Sequence, residues 1–317
     1  MTPLYHVLTD QDVEALASMQ SIVNAVERAF IEQANGGLVS PPRFRVETKQ
    51  GDLVFTAGAA TATEKVIGFR VYDTFANEWD GHQQLVCVFD SDTGVFKGVV
   101  IGNLLGALRT GAIGGVAIKT MARTDAEQIA VIGAGLQARM QLEAAVTVRK
   151  IKLVRVFSRN REHREAFAAQ MAKKLDIEIV AVDSPKSCIQ GADIVICATN
   201  SGKPVFDAAW IEPGVHVNTV GPKSIQAHEV PTEIASRSSV IATDSIEQLK
   251  AYAIPHFLVG TPDEERIVQL ADIVVGKRAG RQDQDDMTLF CSVGLAGTEV
   301  VVANEVMKKA SCKGASP

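Results

Sequence analysis

The feature that most constrains the fold of this chain is a strand, a glycine-rich turn and a helix that follow one another directly. The strand IAVIG leads into the turn Gly133-Ala134-Gly135-Leu136-Gln137-Ala138, and a helical pattern continues to Val148. This G-x-G-x-x-A pattern between a strand and a helix is the fingerprint of a dinucleotide-binding βαβ unit. Gly133 permits the tight turn, Gly135 lets a pyrophosphate approach, and Ala138 keeps the helix close to the strand. The helix N-terminus then attracts phosphate. The alternative is a glycine-rich turn without a ligand.

The regions on either side of this motif differ in their pattern. From about residue 127 onward, apolar strands such as LVRVFSR, ADIVICAT and VHVNTVG alternate with helical stretches. This alternation predicts a parallel, doubly wound sheet of the Rossmann type over residues 125–287. Residues 1–124 contain period-two runs such as DLVFTA and VIGFRVY, which predict an antiparallel sheet of an α+β domain. Residues 288–317 add no obvious strand to the parallel sheet, so we expect them to pack on the first domain. The predicted fold class is α/β with a second, discontinuous α+β domain.

The end of the second strand of the βαβ unit bears on the choice of dinucleotide. An NAD site usually has Asp or Glu there, about 20 residues after the glycines, to bind the ribose hydroxyls. Here the strand ends in Ser158, Arg159 and Asn160, and the first acidic residue is Glu162. Arg159 and Ser158 suit a 2′-phosphate, so NADP(H) is favoured over NAD(H). The alternative is that Arg159 is a solvated loop residue.

Three arginines of the first domain stand in positions that suggest an anion site. Arg43 follows two prolines, Arg70 lies in the apolar strand VIGFRVY, and Arg109 precedes a helix of small residues. A buried guanidinium needs a partner, because an unpaired charge is costly to desolvate. That partner is either a structural carboxylate or the carboxylate of a substrate, to which arginine binds in a bidentate way. The residues alone leave both alternatives open.

The composition argues against several kinds of partner. The formal net charge is −5 and no Lys/Arg block is present, so no nucleic-acid surface is predicted. No apolar run reaches the roughly 20 residues of a membrane span, and the N-terminus lacks the pattern of a signal peptide. The cysteines form no CxxC pair, which fits a reducing, cytoplasmic setting. The histidines form no HxxxH or HxH pattern, so no metal site is predicted.

Four motifs follow one another along nearly the whole chain: LRTGAIGGVA, VIGAGLQAR, NTVGPK with a later HE, and TLFCSVGLAGTE. In this order they resemble the motifs of the ornithine cyclodeaminase/mu-crystallin family. That family pairs a Rossmann domain with a substrate-binding and dimerising domain, which is built from the N-terminal part and the C-terminal helix. The resemblance therefore implies a homodimer that acts on a small amino or imino acid.

The resemblance also carries over to single residues on the substrate side. Arg43 matches a family arginine that binds the substrate carboxylate. Arg109 and Thr110 match a pair that lies between substrate and cofactor. Ser292 and Val293 match residues that reach the active site from the C-terminal segment.

On the cofactor side, the matches lie at the ends of two strands. Thr199 follows the strand ADIVICAT and matches a cofactor contact. Val220 and Gly221 fall in the family's loop near the nicotinamide. We expect all three to bind the dinucleotide.

Two departures from the family pattern bear on the reaction. Where cyclodeaminases have a lysine in a GFK motif, this chain has Arg70 in GFR, and an arginine cannot readily give up a proton. Where they have an aspartate in a GGD motif that handles the substrate amine, this chain has Lys223 in GPK.

We therefore expect an NADPH-dependent imino-acid reductase of the pyrroline-carboxylate type. The three arginines would hold the carboxylate, and Lys223 or a water would polarise or protonate the nitrogen. The alternatives are an ornithine cyclodeaminase, an amino-acid dehydrogenase, and a non-catalytic binding protein like some mu-crystallins.

Overall fold

The computed structural model describes residues 5–75 and 84–314 of the chain. Within them, contacts divide the chain into two compact units. The first unit comprises the residues up to Arg109 together with those from Leu295 onward, and the second is Thr110–Gly294. No helix in these described ranges is long and apolar enough to cross a membrane.

The regular elements are numbered in chain order. The strands are β1 (His6–Thr9), β2 (Leu38–Val39), β3 (Phe44–Glu47), β4 (Asp52–Ala60), β5 (Val66–Asp73), β6 (Gln84–Asp90), β7 (Phe96–Ile101), β8 (Gln128–Ile132), β9 (Leu153–Phe157), β10 (Glu178–Ala181), β11 (Ile194–Cys197), β12 (His216–Thr219), β13 (Lys223–Ser224), β14 (Ala227–His228), β15 (Val240–Thr243), β16 (Ile267–Gln269) and β17 (Thr288–Cys291). The α-helices are α1 (Asp10–Leu16), α2 (Met19–Ala34), α3 (Leu104–Met121), α4 (Leu136–Val148), α5 (Arg161–Leu175), α6 (Pro185–Ile189), α7 (Glu233–Arg237), α8 (Ile246–Lys250), α9 (Leu270–Val274) and α10 (Thr298–Gly314).

The first unit is built on a seven-stranded sheet. The strand order is β1-β7-β6-β5-β4-β2, and β3 pairs with β4. Every pairing is antiparallel except that of β1 with β7. The period-two runs thus form the predicted antiparallel sheet. Helix α10 packs on strands β4 to β7 and on α2. The residue that precedes this helix lies so close to the sheet that a Cβ atom on Gly58 would be 2.6 Å from the Cα atom of Gly297.

The opposite face of this sheet carries many apolar side chains that are only partly buried. Strand pairing places them on one side, because directly opposed residues of an antiparallel pair share a face. The pairs Ile67–Phe89, Phe69–Cys87 and Val71–Leu85 belong to this side. Leu53, Ile67 and Ile101 are 40%, 47% and 43% exposed. We call this surface the apolar sheet face; its members are Leu53, Phe55, Ile67, Phe69, Val71, Leu85, Cys87, Phe89, Val99 and Ile101.

The second unit contains an eight-stranded, wholly parallel sheet. The order of its strands is β10-β9-β8-β11-β12-β17-β15-β16. All strands run in the same direction, but the chain adds strands on one side of β8 up to β10 and then continues on the other side with β11. Alternate residues of one strand enter different cores: Val195 and Cys197 of β11 lie in one, and Ile194 and Ile196 in the other. A sheet buried on both faces is what the near-continuous apolar strands predicted. The doubly wound fold is confirmed.

The strand β17 corrects the expectation for residues 288–317. Thr288–Cys291 does not return to the first unit, because it lies inside the parallel sheet and pairs with both β12 and β15. All four residues are buried. A strand of only four residues has no periodicity that separates a central strand from other buried segments, so the sequence did not reveal it. The chain rejoins the first unit only from Leu295.

The boundary between the units also differs from the expected position near residue 124. It falls inside α3, between Arg109 and Thr110. The small residues of this helix explain the difference, because they let it approach α4 closely. A Cβ atom on Gly111 would lie 2.6 Å from the Met140 carbonyl oxygen, and one on Gly114 would lie 1.9 Å from Gln141 Oε1.

Candidate functional site

A cleft of about 940 Å³ opens in the second unit beside the glycine turn. It gathers most of the residues that the sequence assigned to a cofactor: Gly133, Gly135, Leu136, Gln137, Ser158, Arg159, Asn160, Thr199, Val220 and Gly221. The cleft lies at the carboxyl ends of β8, β9, β11 and β12, next to the point where the strand order reverses. Ligands of open parallel sheets bind at this switch point. Ala138 lies behind the turn, fully buried in the core. Thr110 and Ser292 are not among the described residues that line the cleft.

The glycine turn has the geometry that a pyrophosphate requires. Gly133 has a φ of +116°, and a Cβ atom there would lie 2.3 Å from the Ala198 carbonyl oxygen. Only glycine therefore fits this position. Gly135 is the N-cap of α4, and no heavy atom lies within 4 Å of the position that its Cβ atom would take. The space before the helix N-terminus is thus open to a phosphate group.

The turn after β9 forms the other end of the cleft. The Asn160 side chain caps α5 by accepting a hydrogen bond from His163 N at 3.0 Å. Ser158 Oγ donates to Asn160 O at 3.3 Å. Arg159 is exposed, and no ion pair forms on it within the described part of the chain. None of the described residues lining the cleft is acidic.

A buried carboxylate that the sequence did not single out organises the loops after β11 and β12. Glu229 Oε2 accepts hydrogen bonds from Thr199 N at 2.8 Å and from Thr199 Oγ1 at 2.7 Å. Its Oε1 accepts from Thr219 Oγ1 at 2.7 Å, from Val220 N at 3.2 Å and from Gly221 N at 2.6 Å. The only sequence signal was its place in the HE dipeptide of the third motif.

Lys223, Ser292 and Val293 come together at the carboxyl ends of the strands of the parallel sheet, beyond β12 and β17. Lys223 Nζ donates to Val220 O at 2.9 Å and to Ser292 O at 2.5 Å. Asp244, also missed from the sequence, accepts hydrogen bonds from Val293 N at 2.7 Å and from Gly294 N at 2.8 Å. The ammonium and this carboxylate thus fix the segment that follows β17.

In the first unit, Arg70 and Arg109 both contact one buried carboxylate. Glu299, in the first turn of α10, accepts a hydrogen bond from Arg109 Nη2 and lies 3.4 Å from Arg70 Nη1. Arg70 also donates to Gln84 Oε1 from Nε at 3.0 Å and from Nη2 at 2.5 Å. Its guanidinium carbon lies 4.4 Å from the centre of the Tyr72 ring. A structural carboxylate partner, one of the two alternatives, is therefore present for both arginines.

Opposite charges in this cluster offset the effect of burial on the pKa values of Glu299 and Arg70. Burial alone would raise the pKa of Glu299, but the guanidinium groups of Arg109, Arg70 and Arg43 bring it below its ordinary value. Burial lowers the pKa of Arg70, and the Glu299 charge opposes that effect. Arg109 Nε is buried and has no hydrogen-bond partner among the residues that the structure describes. Arg109 thus offers a buried donor for which no partner is seen among the described residues, and a carboxylate ligand would satisfy it.

The chain is similar over most of its length to known proteins. A family model described as the ornithine cyclodeaminase/mu-crystallin family matches residues 5–314. The chain is 33% identical to Thermococcus litoralis Delta(1)-pyrroline-2-carboxylate reductase, whose structure in complex with NADH and L-proline superposes with a TM-score of 0.89 over 97% of this chain and 98% of that one. It is 32% identical to the Bacillus cereus enzyme of the same name over 73% of this chain and 72% of the relative. An archaeal alanine dehydrogenase dimer with bound NAD is 28% identical, with a TM-score of 0.87, over 99% of this chain and 98% of that one.

Proposed function

Because this chain belongs to the ornithine cyclodeaminase/mu-crystallin family, we propose that it is an NAD(P)H-dependent reductase of small α-imino acids. The proposed substrate is a cyclic ketimine carboxylate of the pyrroline-carboxylate type. The observation that carries the choice of reaction is Lys223, whose ammonium donates to Val220 O and Ser292 O. A cation stands where the cyclodeaminases have the aspartate that handles the substrate amine. A preformed imine does not need that aspartate.

The residues that line the cleft would hold the dinucleotide, and its reduced nicotinamide would supply the hydride for the imine carbon. The substrate carboxylate is assigned to Arg43, Arg70 and Arg109. The unsatisfied Nε of Arg109 supports its part in this role, because a carboxylate would supply the missing acceptor. Lys223 is the candidate proton donor to the imine nitrogen, since its ammonium is anchored at the loop that lines the cleft. Positioning and charge are the contributions of these side chains.

The proposed cofactor preference is NADP(H) over NAD(H). It is supported by the exposed Arg159 and by the absence of acidic side chains among the described residues that line the cleft. A 2′-phosphate would meet the Arg159 guanidinium and the Ser158 hydroxyl, and no carboxylate among the described lining residues would repel it. Two related structures contain NADH and NAD, and binding titrations of this protein with both reduced dinucleotides test the preference.

The apolar sheet face supports the further proposal of a homodimer. An apolar surface of this extent on a sheet is typical of an interaction surface, and a second copy of the chain would cover it. The related alanine dehydrogenase is described as a dimer. We therefore propose a homodimer in which two apolar sheet faces pack against each other.

Turnover distinguishes the candidate functions. The purified protein is assayed for oxidation of NADPH and NADH with cyclic ketimine carboxylates, and with 2-oxo acids plus amines. Ammonia release from L-ornithine is measured in parallel. We expect oxidation with a cyclic imino acid and little ammonia. Efficient release of ammonia would identify a cyclodeaminase instead, and binding of the dinucleotide without any turnover would identify a binding protein.

A further inference from the structure

Glu229 occupies an unusual place beside the proposed cofactor cleft. Its side chain is fully buried, and it is not itself one of the residues that line the cleft. Its backbone is fixed on both sides, since Glu229 N donates to Pro222 O at 3.1 Å and Val205 N donates to Glu229 O at 2.9 Å. The carboxylate is therefore held in one place.

The five hydrogen bonds of this carboxylate divide between two loops. Oε2 accepts both bonds from Thr199, which follows β11. Oε1 accepts one bond from the end of β12, at Thr219, and two from the backbone of Val220 and Gly221. All five groups are donors, so an ionised carboxylate, which only accepts, satisfies them together.

The fit around the carboxylate leaves little freedom. A Cβ atom on Gly221 would lie 2.5 Å from Glu229 Oε2 and 2.4 Å from the Thr199 carbonyl oxygen. A glycine is therefore needed where the loop passes the carboxylate. Thr199, Val220 and Gly221 all line the cleft, so Glu229 determines the position of three groups that a ligand would meet.

These loops serve one half of the cleft. In the sheet, β9 lies on one side of β8, and β11 and β12 lie on the other. The pyrophosphate position at the N-terminus of α4 follows β8. The Ser158–Asn160 turn therefore serves the adenosine half of a dinucleotide, and the loops held by Glu229 serve the nicotinamide half.

We propose that Glu229 is a positioning residue for the nicotinamide half of the cofactor, acting through Thr199, Val220 and Gly221. The inference rests on the proposed dinucleotide site. It makes a prediction that a general structural role does not make, because loss of the carboxylate should weaken binding of the whole dinucleotide and leave binding of its adenosine fragment unchanged.

The test measures binding to the full-length protein by titration calorimetry. One probe is NADPH or NADH, whichever the unmodified protein binds more tightly, and the other is the matching fragment, adenosine 2′,5′-bisphosphate or ADP. Glu229→Gln keeps the shape of the side chain but turns an amide toward backbone donors. We expect this variant to bind the dinucleotide at least ~10-fold more weakly, because buried donors lose their acceptor. Affinity for the fragment should stay within about twofold.

A second pair of variants covers the case in which Glu229→Gln does not fold. Thr219→Val removes one donor to Glu229 at a buried residue that does not line the cleft. It should weaken the dinucleotide selectively, by roughly threefold or more, and Thr219→Ser, which keeps the hydroxyl, should restore the affinity.

Equal losses for dinucleotide and fragment, or no loss for either, would overturn the positioning role. If the unmodified protein binds neither probe, the proposed dinucleotide function itself fails.

Discussion

Replacing Glu299 with Gln keeps the shape of the side chain and removes the charge that Arg70 and Arg109 share. The Glu299 side chain is 2% exposed, and those of Arg109 and Arg70 are 6% and 14% exposed. Removing one partner of a buried ion pair typically costs about 3–5 kcal/mol, because the other charges stay buried without compensation. We expect Glu299→Gln to lower the free energy of unfolding by roughly 3 kcal/mol at neutral pH.

The matched control lies six residues further along α10, nearly two helical turns away. Glu305 pairs with Arg28, and these side chains are 18% and 37% exposed. A pair that reaches solvent contributes at most about 1 kcal/mol, so Glu305→Gln should have a small effect. Urea unfolding of both variants and of the unmodified protein gives the comparison. Equal destabilisation by the two substitutions would refute the reasoning, because burial of the arginine cluster would then not matter.

The pH dependence of the same variant gives a second check. The folded protein holds the pKa of Glu299 below its ordinary value, mainly because the arginine charges outweigh the effect of burial. The stability that this carboxylate contributes is therefore present above the unfolded pKa and is lost as the pH falls through the folded pKa. The difference between Glu299→Gln and the unmodified protein should narrow in acid. A difference that stays constant down to acid unfolding would contradict the lowered pKa.

Four further outcomes are expected. Arg109→Ala should lower kcat/KM for the imino acid by roughly 100-fold, as loss of a buried charge-assisted bond does; an unchanged value would remove this arginine from the substrate site. Arg159→Ala should weaken NADPH at least ~10-fold more than NADH in binding titrations, and equal losses would refute a contact with the 2′-phosphate. Ile67→Lys on the apolar sheet face should give monomers in analytical ultracentrifugation, and a dimer of unchanged affinity would place the interface elsewhere. Burial and the nearby Arg281 and Arg149 lower the pKa of His216 to about 3. Between that value and the unfolded pKa, which is about 6.5, the unfolded state binds the extra proton. The free energy of unfolding, measured with urea, should therefore fall by about 2 kcal/mol from pH 7.5 to pH 5. The fall should be smaller in His216→Gln, and an equal fall in both proteins would contradict the lowered pKa.

Local chemistry made part of the fold and the site predictable. The glycine turn is a contiguous motif: Gly133 has the positive φ of the tight turn that the sequence predicted, and the space beside Gly135 is open. The parallel sheet was predictable because its strands are apolar on both faces and alternate with helices. The antiparallel sheet followed from period-two runs such as β4 and β5.

The parts that escaped prediction depend on contacts between distant segments. Glu299 lies 190 residues from its partner Arg109, and Glu229 lies 30 residues from Thr199. A single carboxylate in a sequence does not show which distant donors it will meet. Strand β17 was missed for a related reason, since its partners β12 and β15 come from earlier segments of the chain.

Isotope transfer tests imino-acid reduction most directly. The purified protein is given a cyclic ketimine carboxylate and a deuterium-labelled reduced dinucleotide. Two preparations of the dinucleotide are used, each with deuterium in place of a different one of the two hydrogens on the nicotinamide carbon that gives up the hydride. Mass spectrometry then follows the amino-acid product. We expect one of the two stereoisomers to place one deuterium on the α-carbon of a cyclic amino acid, while L-ornithine releases little ammonia. A product without deuterium from either stereoisomer, or efficient conversion of L-ornithine to proline and ammonia, would contradict the proposed reductase.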